Sequence, residues 1–187
     1  MSGACMKEAE KLEILRALKA GRDALGETLT VVDDELASRK AAGGSWSILE
    51  CAEHVAISER YLHTRLTCAK RAEAALENRD REARILERGV DRSRRVECPE
   101  GGLPVGRFAN VREALANFDA ARTETVKFVE GFEDDPRCWI TDHPVIPGPV
   151  NVMEILLTMA VHPARHAKQI AELREALLRI DGPRSAP

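Results

Sequence analysis

Two histidines stand four residues apart in the stretch VHPARHAKQI, at His162 and His166. On a helix this spacing places both imidazoles on one face, about one turn apart, so that both can reach a single cation. Both also fall on a stripe with steps of three and four residues, formed by Ile155, Met159, His162, His166, Ile170, Leu173, Leu177 and Ile180. Burying imidazoles in such a stripe costs free energy unless each is hydrogen-bonded or bound to something. The pair therefore indicates a divalent metal site.

A metal site needs at least one further ligand from another segment, and His54 is the candidate. It lies in the stretch ECAEHVAISERY, at the edge of the apolar arc of a second helical segment. His63 falls about half a turn further round that helix and is expected to face solvent. His143 stands in a Pro-rich connector and is expected to be a turn residue. The alternative for the histidine pair is a hydrogen-bonded core cluster without metal.

Three other residues near these ligands have two readings each. Cys51 lies one turn before His54 and could close the site as a fourth ligand, although small buried cysteines are common core fillers. Arg165 could contact an anionic substrate group at the mouth, or be a solvated charge beside the stripe. Tyr61, two turns after His54, could line a pocket or pack at the edge of the core.

The residues between the two histidines limit the chemistry of the site. The glutamate of the HExxH metalloprotease motif is absent, so any general base must come from elsewhere in the fold. Pro163 cannot donate a hydrogen bond to the Met159 carbonyl and is expected to bend the helix beside His162. The bend either shapes the site or is a tolerated kink.

Four segments with helical periodicity must position these residues, over about 7–36, 48–77, 111–131 and 151–180. No segment carries a convincing alternating pattern of a β-strand. Three helix starts have capping signals, which are Ser47 ahead of Glu50, Asn110 ahead of Glu113 and Asn151 ahead of Glu154. The sequence thus predicts a single all-α domain over residues 1–187, with a four-helix bundle as the architecture.

A long connection joins the second and third helices. Residues 77–108 are rich in charge and then in Gly and Pro. Their arginines are interleaved with Asp and Glu, which favours a solvated helix extension and loop over a nucleic-acid patch. A connection of this length joins helices that need not be neighbours.

The composition excludes several function classes. The chain has 187 residues with 28 Lys and Arg against 31 Asp and Glu, a net charge of −3, so no bulk attraction to nucleic acid or anionic membrane is expected. No apolar run approaches the roughly 18 residues of a membrane span, and the charged N-terminus does not resemble a signal peptide. Five scattered cysteines without a CxxC pair favour reduced thiols and a cytoplasmic location.

The stretches GGSWSILECAEHVAISERY and MAVHPARHAKQIAELR resemble the DinB-like superfamily, which includes the YfiT-like metalloproteins. That family carries Trp-Ser before a helix with one histidine, then an HxxxH followed by Gln-Ile on its last helix. The stretches PVGRFANVREALANFDAARTETVKFVE and DHPVIPGPVNVMEILL are similar to one branch of it. The resemblance extends from the first predicted helix to Leu178, and its specificity comes from the order and spacing of short motifs.

The resemblance implies a four-helix bundle whose metal ligands are His54, His162 and His166, with zinc, nickel or an iron-like ion. It implies that Gln169 lies near the site without being a ligand. Family members are often homodimers; some transfer low-molecular-weight thiols, and others resemble hydrolases or isomerases.

The leading hypothesis is therefore a metal-dependent enzyme, either a thiol S-transferase or a hydrolase acting on a small molecule. An open coordination position, which three imidazoles leave, is typical of catalytic sites. The alternative is a non-catalytic bundle with a structural or sensory metal, or with none, and its site should be closed, for example by Cys51. A DNA-binding role is disfavoured by the acidic balance and the absence of a basic helix face.

Overall fold

Helices make up most of the protein. A computed structural model describes residues 5–41, 45–93 and 96–181. The helices are α1 (Glu8–Thr30), α2 (Asp34–Ser38), α3 (Ile48–Thr67), α4 (Arg79–Gly89), α5 (Val111–Gly131) and α6 (Val152–Asp181), and the strands are β1 (Lys70–Arg71), β2 (Trp139–Thr141) and β3 (Val150–Asn151). The predicted mostly helical fold is confirmed. Within the described ranges, no helix is long and apolar enough to cross a bilayer.

The three predicted N-caps are all formed. The Ser47 hydroxyl accepts a hydrogen bond from the Glu50 N–H at 3.1 Å, and the Glu50 carboxylate accepts one from the Ser47 N–H at 2.7 Å. The side chains of Asn110 and Asn151 each accept from the N–H three residues later, at 2.9 Å. These bonds satisfy N–H groups that a helix start leaves without partners, and so they fix where α3, α5 and α6 begin.

The four long helices pack against one another in pairs. Helix α1 lies along α6 and α3 lies along α5, while α3 also contacts α6 and α1 contacts α5. Two clusters of buried apolar side chains fill the space between them, one containing Leu18 and Leu156 and the other containing Leu25 and Phe118. The helices that carry His54, His162 and His166, α3 and α6, therefore pack directly against each other.

Helix α1 comes close to α6 at Gly21. A Cβ atom built on Gly21 would lie 2.2 Å from the carbonyl oxygen of Ala160, closer than any side chain permits. It would also lie 3.7 Å from Cδ of Pro163. The backbone of α1 thus packs directly against the part of α6 that precedes the ligand histidines.

The first two helices end earlier than expected. Helix α1 stops at Thr30 instead of near residue 36, because Asp33 accepts from the N–H of Leu36 and starts the separate helix α2. The β-branched residues of TVVDD also disfavour a continuous helix. Helix α3 stops at Thr67 instead of near residue 77, because the chain then enters β1. The residues of β1 favour a helix by propensity, so propensity does not predict this end.

A small antiparallel sheet was not predicted. Strand β2 lies in the centre, with Lys70 of β1 opposite Ile140 and Asn151 of β3 on the other side of the same residue. Strands of two or three residues are too short to show an alternating pattern. The sheet joins the end of α3 to the connector that leads into α6.

The first half of the long connection does not extend α3. It contains α4, which packs on α6. The guanidinium of Arg81 forms two hydrogen bonds with the fully buried carboxylate of Glu154 on α6, the longer of them 2.7 Å. Arg137 pairs in the same way with Glu82 of α4, at 2.8 and 2.9 Å. Most charges of this helix are exposed as predicted, but Arg81 and Glu82 bind partners far away in the sequence.

Candidate metal centre

Three imidazoles meet between α3 and α6. His54 comes from α3, and His162 and His166 come from α6. The Nε2 atom of His162 is 3.2 Å from Nε2 of His54 and 3.1 Å from Nε2 of His166. One ligand atom from each residue lies within 4.8 Å of the others. The structure thus brings together the three histidines that the sequence selects.

Hydrogen bonds hold two of these rings from behind. The Nδ1–H of His54 donates to the Gly102 carbonyl oxygen at 2.7 Å. The Nδ1–H of His166 donates to the side-chain oxygen of Gln169 at 2.9 Å. Because Nδ1 carries the proton in both rings, Nε2 presents a lone pair to the centre of the cluster. Gln169 therefore lies beside His166, where the resemblance places it.

A loop that follows α4 carries the Gly102 carbonyl, and Glu53 of α3 anchors it. The Glu53 side chain is only 1% exposed. Its carboxylate accepts hydrogen bonds from the backbone N–H groups of Val105, Gly106 and Arg107 at 2.8, 3.0 and 3.2 Å. The Arg107 guanidinium adds a fourth at 3.0 Å. The residue next to the ligand His54 in sequence thus holds the loop that orients His54.

Burial lowers the pKa of all three imidazoles. The pKa of His166 falls to about 3, with the charge of His54 as the second cause. The pKa of His162 lies well below the ordinary value because His166 and His54 add to the effect of burial. For His54, the bond to the Gly102 carbonyl partly opposes the effect of burial, and the pKa is still lowered. Neutral imidazoles are the form that binds metal.

The cluster has the donor chemistry of a divalent metal site. Nε2 of His54 and Nε2 of His166 each carry a lone pair and can accept a hydrogen bond. His162 offers them a single Nε2–H, which can donate a well-aligned hydrogen bond to only one of the two. A metal–nitrogen bond of about 2.0–2.1 Å separates two ligand nitrogens by about 2.9 Å at a right angle and about 3.4 Å at the tetrahedral angle. The separations of 3.1 and 3.2 Å fall between these values. The residues therefore fit a divalent ion held by three neutral imidazoles.

A family model of the DinB superfamily matches residues 17–170 of the chain. The chain belongs to the DinB superfamily. The match includes all three histidines of the cluster and Gln169. No curated protein and no solved structure matches the chain.

The other predicted site residues of this DinB-superfamily protein lie around the cluster. Cys51 is fully buried in the apolar cluster with Leu25, and burial raises the pKa of its thiol to about 12. Tyr61 lies at the edge of the core and accepts a hydrogen bond from Arg65 at 2.5 Å. Arg165 donates to the Asp91 carbonyl. None of these three joins the histidines in the group of ligand atoms, which among the described residues has three members.

The remaining histidines lie outside the cluster. The Nδ1 atom of His143 accepts from the N–H groups of Val145 and Ile146 at 3.1 and 3.0 Å, so this residue is a turn residue as predicted. The expectation that His63 faces solvent is wrong. Its ring packs edge-on against Phe128 of α5, because α5 covers this flank of α3.

Two residues beside His54 were not predicted to be near the site. The Cys98 thiol lies 3.5 Å from Nδ1 of His54, and the Trp46 ring lies 5.0 Å from the His54 ring between centroids. Trp46 precedes α3 in the same motif, so its sequence position was a usable signal. Cys98 lies 44 residues from His54 in the connection, where no local pattern points to it.

Proposed function

We propose that this DinB-superfamily protein binds a divalent metal ion through His54, His162 and His166 and uses it in a reaction on a small molecule. The convergence of three Nε2 atoms, two of them with Nδ1 bonded elsewhere, carries the proposal. Zinc, nickel and an iron-like ion all suit imidazole ligands.

We also interpret the fold as the four-helix bundle of the superfamily. The pairwise packing of α1, α3, α5 and α6 supports this interpretation. Helix α4 and the small sheet would then be additions at the periphery of the bundle. In this arrangement the ligands project from two facing helices into the bundle interior, a common way to build a metal site.

The ligand set favours catalysis over a structural ion. Within the described residues, no fourth His, Cys, Asp or Glu atom joins the three imidazoles, and Cys51 lies in the apolar core. Structural zinc sites are closed by four protein ligands, whereas catalytic sites keep a position open. A bound divalent ion would lower the pKa of a water or thiol at that position, which suits thiol transfer or hydrolysis.

A cleft on the Nδ1 side of His54 gives room for a small substrate. Its volume is about 320 Å³, and its lining consists of Val96, Glu97, Cys98, Pro99, Pro144 and Val145. Cys98 connects the cleft to the site, because its sulfur is 3.5 Å from the His54 ring. The apolar side chains of this lining support a substrate with an apolar part, such as a substituted thiol, and Glu97 and Cys98 add polar groups.

Metal content is the decisive measurement. Wild-type protein purified without chelator should contain about one divalent ion per chain by mass spectrometry, and His162→Ala should contain almost none. His63→Ala is the matched control, since this histidine also lies at a helix interface but does not face the cluster. A wild-type protein that stays metal-free after reconstitution with zinc, nickel and manganese would refute the proposal.

The reaction and the assembly need separate tests. The metal-loaded protein should transfer a low-molecular-weight thiol to an electrophile, or hydrolyse a small ester or amide, and His162→Ala should not. Full metal loading without activity in either screen would favour a structural or sensory ion.

We further propose a homodimer, as superfamily membership suggests, which light scattering on the purified protein will test. The five free cysteines support a location in a reducing cytoplasm.

A further inference from the structure

Pro163 leaves a carbonyl inside the protein without its helical partner. Proline has no N–H, so the carbonyl of Met159, four residues earlier in α6, cannot accept the usual hydrogen bond. Met159 is fully buried, and water cannot take the place of that bond. A buried carbonyl without a partner costs free energy, so another donor is needed at this point of α6.

Arg122 of α5 supplies that donor. Its Nη2 donates to the Met159 carbonyl at 2.8 Å, and its Nη1 donates to the Leu18 carbonyl of α1 at 2.7 Å. Glu59 of α3 accepts two bonds from the same guanidinium, at 2.8 and 2.9 Å. Arg122 and Glu59 are 5% and 3% exposed. One buried guanidinium thus connects all four long helices at the level where α6 lacks a backbone bond.

This connection lies next to the metal ligand His162. Met159 and His162 are three residues apart on the same helix, and Pro163 follows His162 directly. Both short nitrogen–nitrogen separations in the cluster involve His162, so a change in the path of α6 between Met159 and Pro163 would alter both of them. At the same level, α1 presses against the Ala160 carbonyl through Gly21 and limits how far α6 can move.

Stability alone does not explain the burial of this ion pair. Replacing a buried pair by well-packed apolar side chains is often neutral or stabilising, because the desolvation cost disappears. We propose that Arg122, held by Glu59, is a positioning residue for His162: it replaces the hydrogen bond that Pro163 removes and fixes the path of α6 at the metal site. The proposal rests on the metal site proposed above, and its first test does not use metal.

The test is a cycle of four proteins: wild type, Arg122→Met with Glu59→Leu, Pro163→Ala, and all three substitutions together. Alanine at position 163 restores the N–H, so the Met159 carbonyl no longer depends on Arg122. In metal-free protein, removing the pair should shift the side-chain nitrogen NMR signals of His162. In the Pro163→Ala background the shift should be clearly smaller, because only the direct effect of the lost Arg122 charge on His162 is left. Equal shifts in both backgrounds, or none in either, would overturn the proposal.

The second measurement on the same four proteins is zinc affinity, determined by chelator competition. Removing the pair should weaken zinc binding about 10- to 100-fold, the usual effect of changing a group that orients a ligand. In the Pro163→Ala background the loss should stay within about twofold, the scatter of independent sites. If wild type binds no metal, the proposed function fails, while the NMR cycle still decides the role of Arg122.

Two further variants guard against a trivial result. Arg137→Met with Glu82→Leu removes another buried ion pair and should leave both the His162 signals and the zinc affinity unchanged. If this control moves them as much, a general loss of stability explains the effect and the proposal is wrong. Should the first pair be needed for folding, Arg122→Lys keeps the charge but loses the planar fork, and the same cycle applies with it.

Discussion

Replacing Glu53 by glutamine should lower both the stability of the protein and its affinity for metal. The Glu53 carboxylate accepts four hydrogen bonds from the loop that carries Gly102, at 2.8 to 3.2 Å. Glutamine has one acceptor oxygen and no charge, and its amide group would face N–H donors. If each of the four bonds loses about 0.5–1 kcal/mol, the free energy of unfolding falls by about 3 kcal/mol. For a chain of this size, that lowers Tm by roughly 6–12 °C.

The pH dependence gives this prediction a sign. Burial raises the pKa of Glu53, but the N–H groups of Val105 and Arg107 together with the Arg107 guanidinium outweigh burial, so the pKa is lowered. A lowered carboxyl pKa stabilises the folded state above the unfolded-state value of about 4.3. This stabilisation is lost as the pH falls through the folded-state pKa. The difference in Tm between wild type and Glu53→Gln should therefore be full at pH 7 and shrink in acid.

The assay combines thermal unfolding at several pH values with zinc competition at pH 7. Because Glu53 holds the loop whose Gly102 carbonyl orients His54, zinc affinity should fall about tenfold or more. Glu50→Gln is the matched control, since this carboxylate of the same helix also accepts a backbone N–H but does not touch the loop. It should cost about 1 kcal/mol and leave zinc affinity unchanged. A large loss of stability in Glu53→Gln with unchanged zinc affinity would show that His54 does not need the loop.

Two more predictions follow from the packing and from the imidazoles. In metal-free protein, the pKa of His166 is about 3, against 6.5 as its ordinary value, so the unfolded state binds a proton that the folded state does not. Chemical denaturation should thus show on the order of 1 kcal/mol less stability at pH 5.5 than at pH 7.5 from His166 alone, and a flat profile would contradict this. Gly21→Ala should lower stability by about 1–3 kcal/mol or more, because its Cβ would lie 2.2 Å from the Ala160 carbonyl oxygen. Gly131→Ala, where nothing lies within 4 Å, should be neutral or slightly stabilising, and equal Tm values for the two variants would count against the close approach of α1.

The three clustered histidines could be found from the sequence because each follows from a local rule. His162 and His166 share a helix face by spacing alone, and His54 lies at the edge of an apolar arc. Of the hydrogen-bond partners of these histidines, one is close in sequence and could be predicted, and one is distant and could not. Gln169 stands three residues after His166 on the same helix, whereas the Gly102 carbonyl reaches His54 across 48 residues. A loop contact of that range depends on how Glu53 anchors the chain, and no periodicity encodes it.

The helix starts were predictable for the same reason, and the ends were not. Ser47, Asn110 and Asn151 form their caps with residues three positions away, so the signal is contained in four letters. The end of α3 at Thr67 depends on the pairing of β1 with β2, some 70 residues later in the chain. A helix that continues by propensity stops where such a distant partner offers its backbone a different set of hydrogen bonds.

The buried ion pair did leave a signal in the sequence. On α3, Glu59 continues the steps of three and four that connect Val55 with Leu62. On α5, Arg122 occupies the same kind of position between Phe118 and Thr125. An acidic residue on the apolar stripe of one helix and a basic residue on the stripe of another predict that the two side chains pair in the protein interior. A stripe defined by its apolar members alone leaves both charges out.

Two carboxylates of α3 are placed to position the three clustered histidines, of which one comes from α3 and two come from α6. Glu53 fixes the loop that orients His54, and Glu59 holds Arg122 against the carbonyl that Pro163 leaves free on α6. Apolar replacements at such buried charges can raise stability, because desolvation costs disappear. If the charges position the ligands, the same replacements should lower metal affinity. Opposite signs for the two effects in one Arg122→Met and Glu59→Leu protein would therefore separate positioning from ordinary packing, which must move both in the same direction.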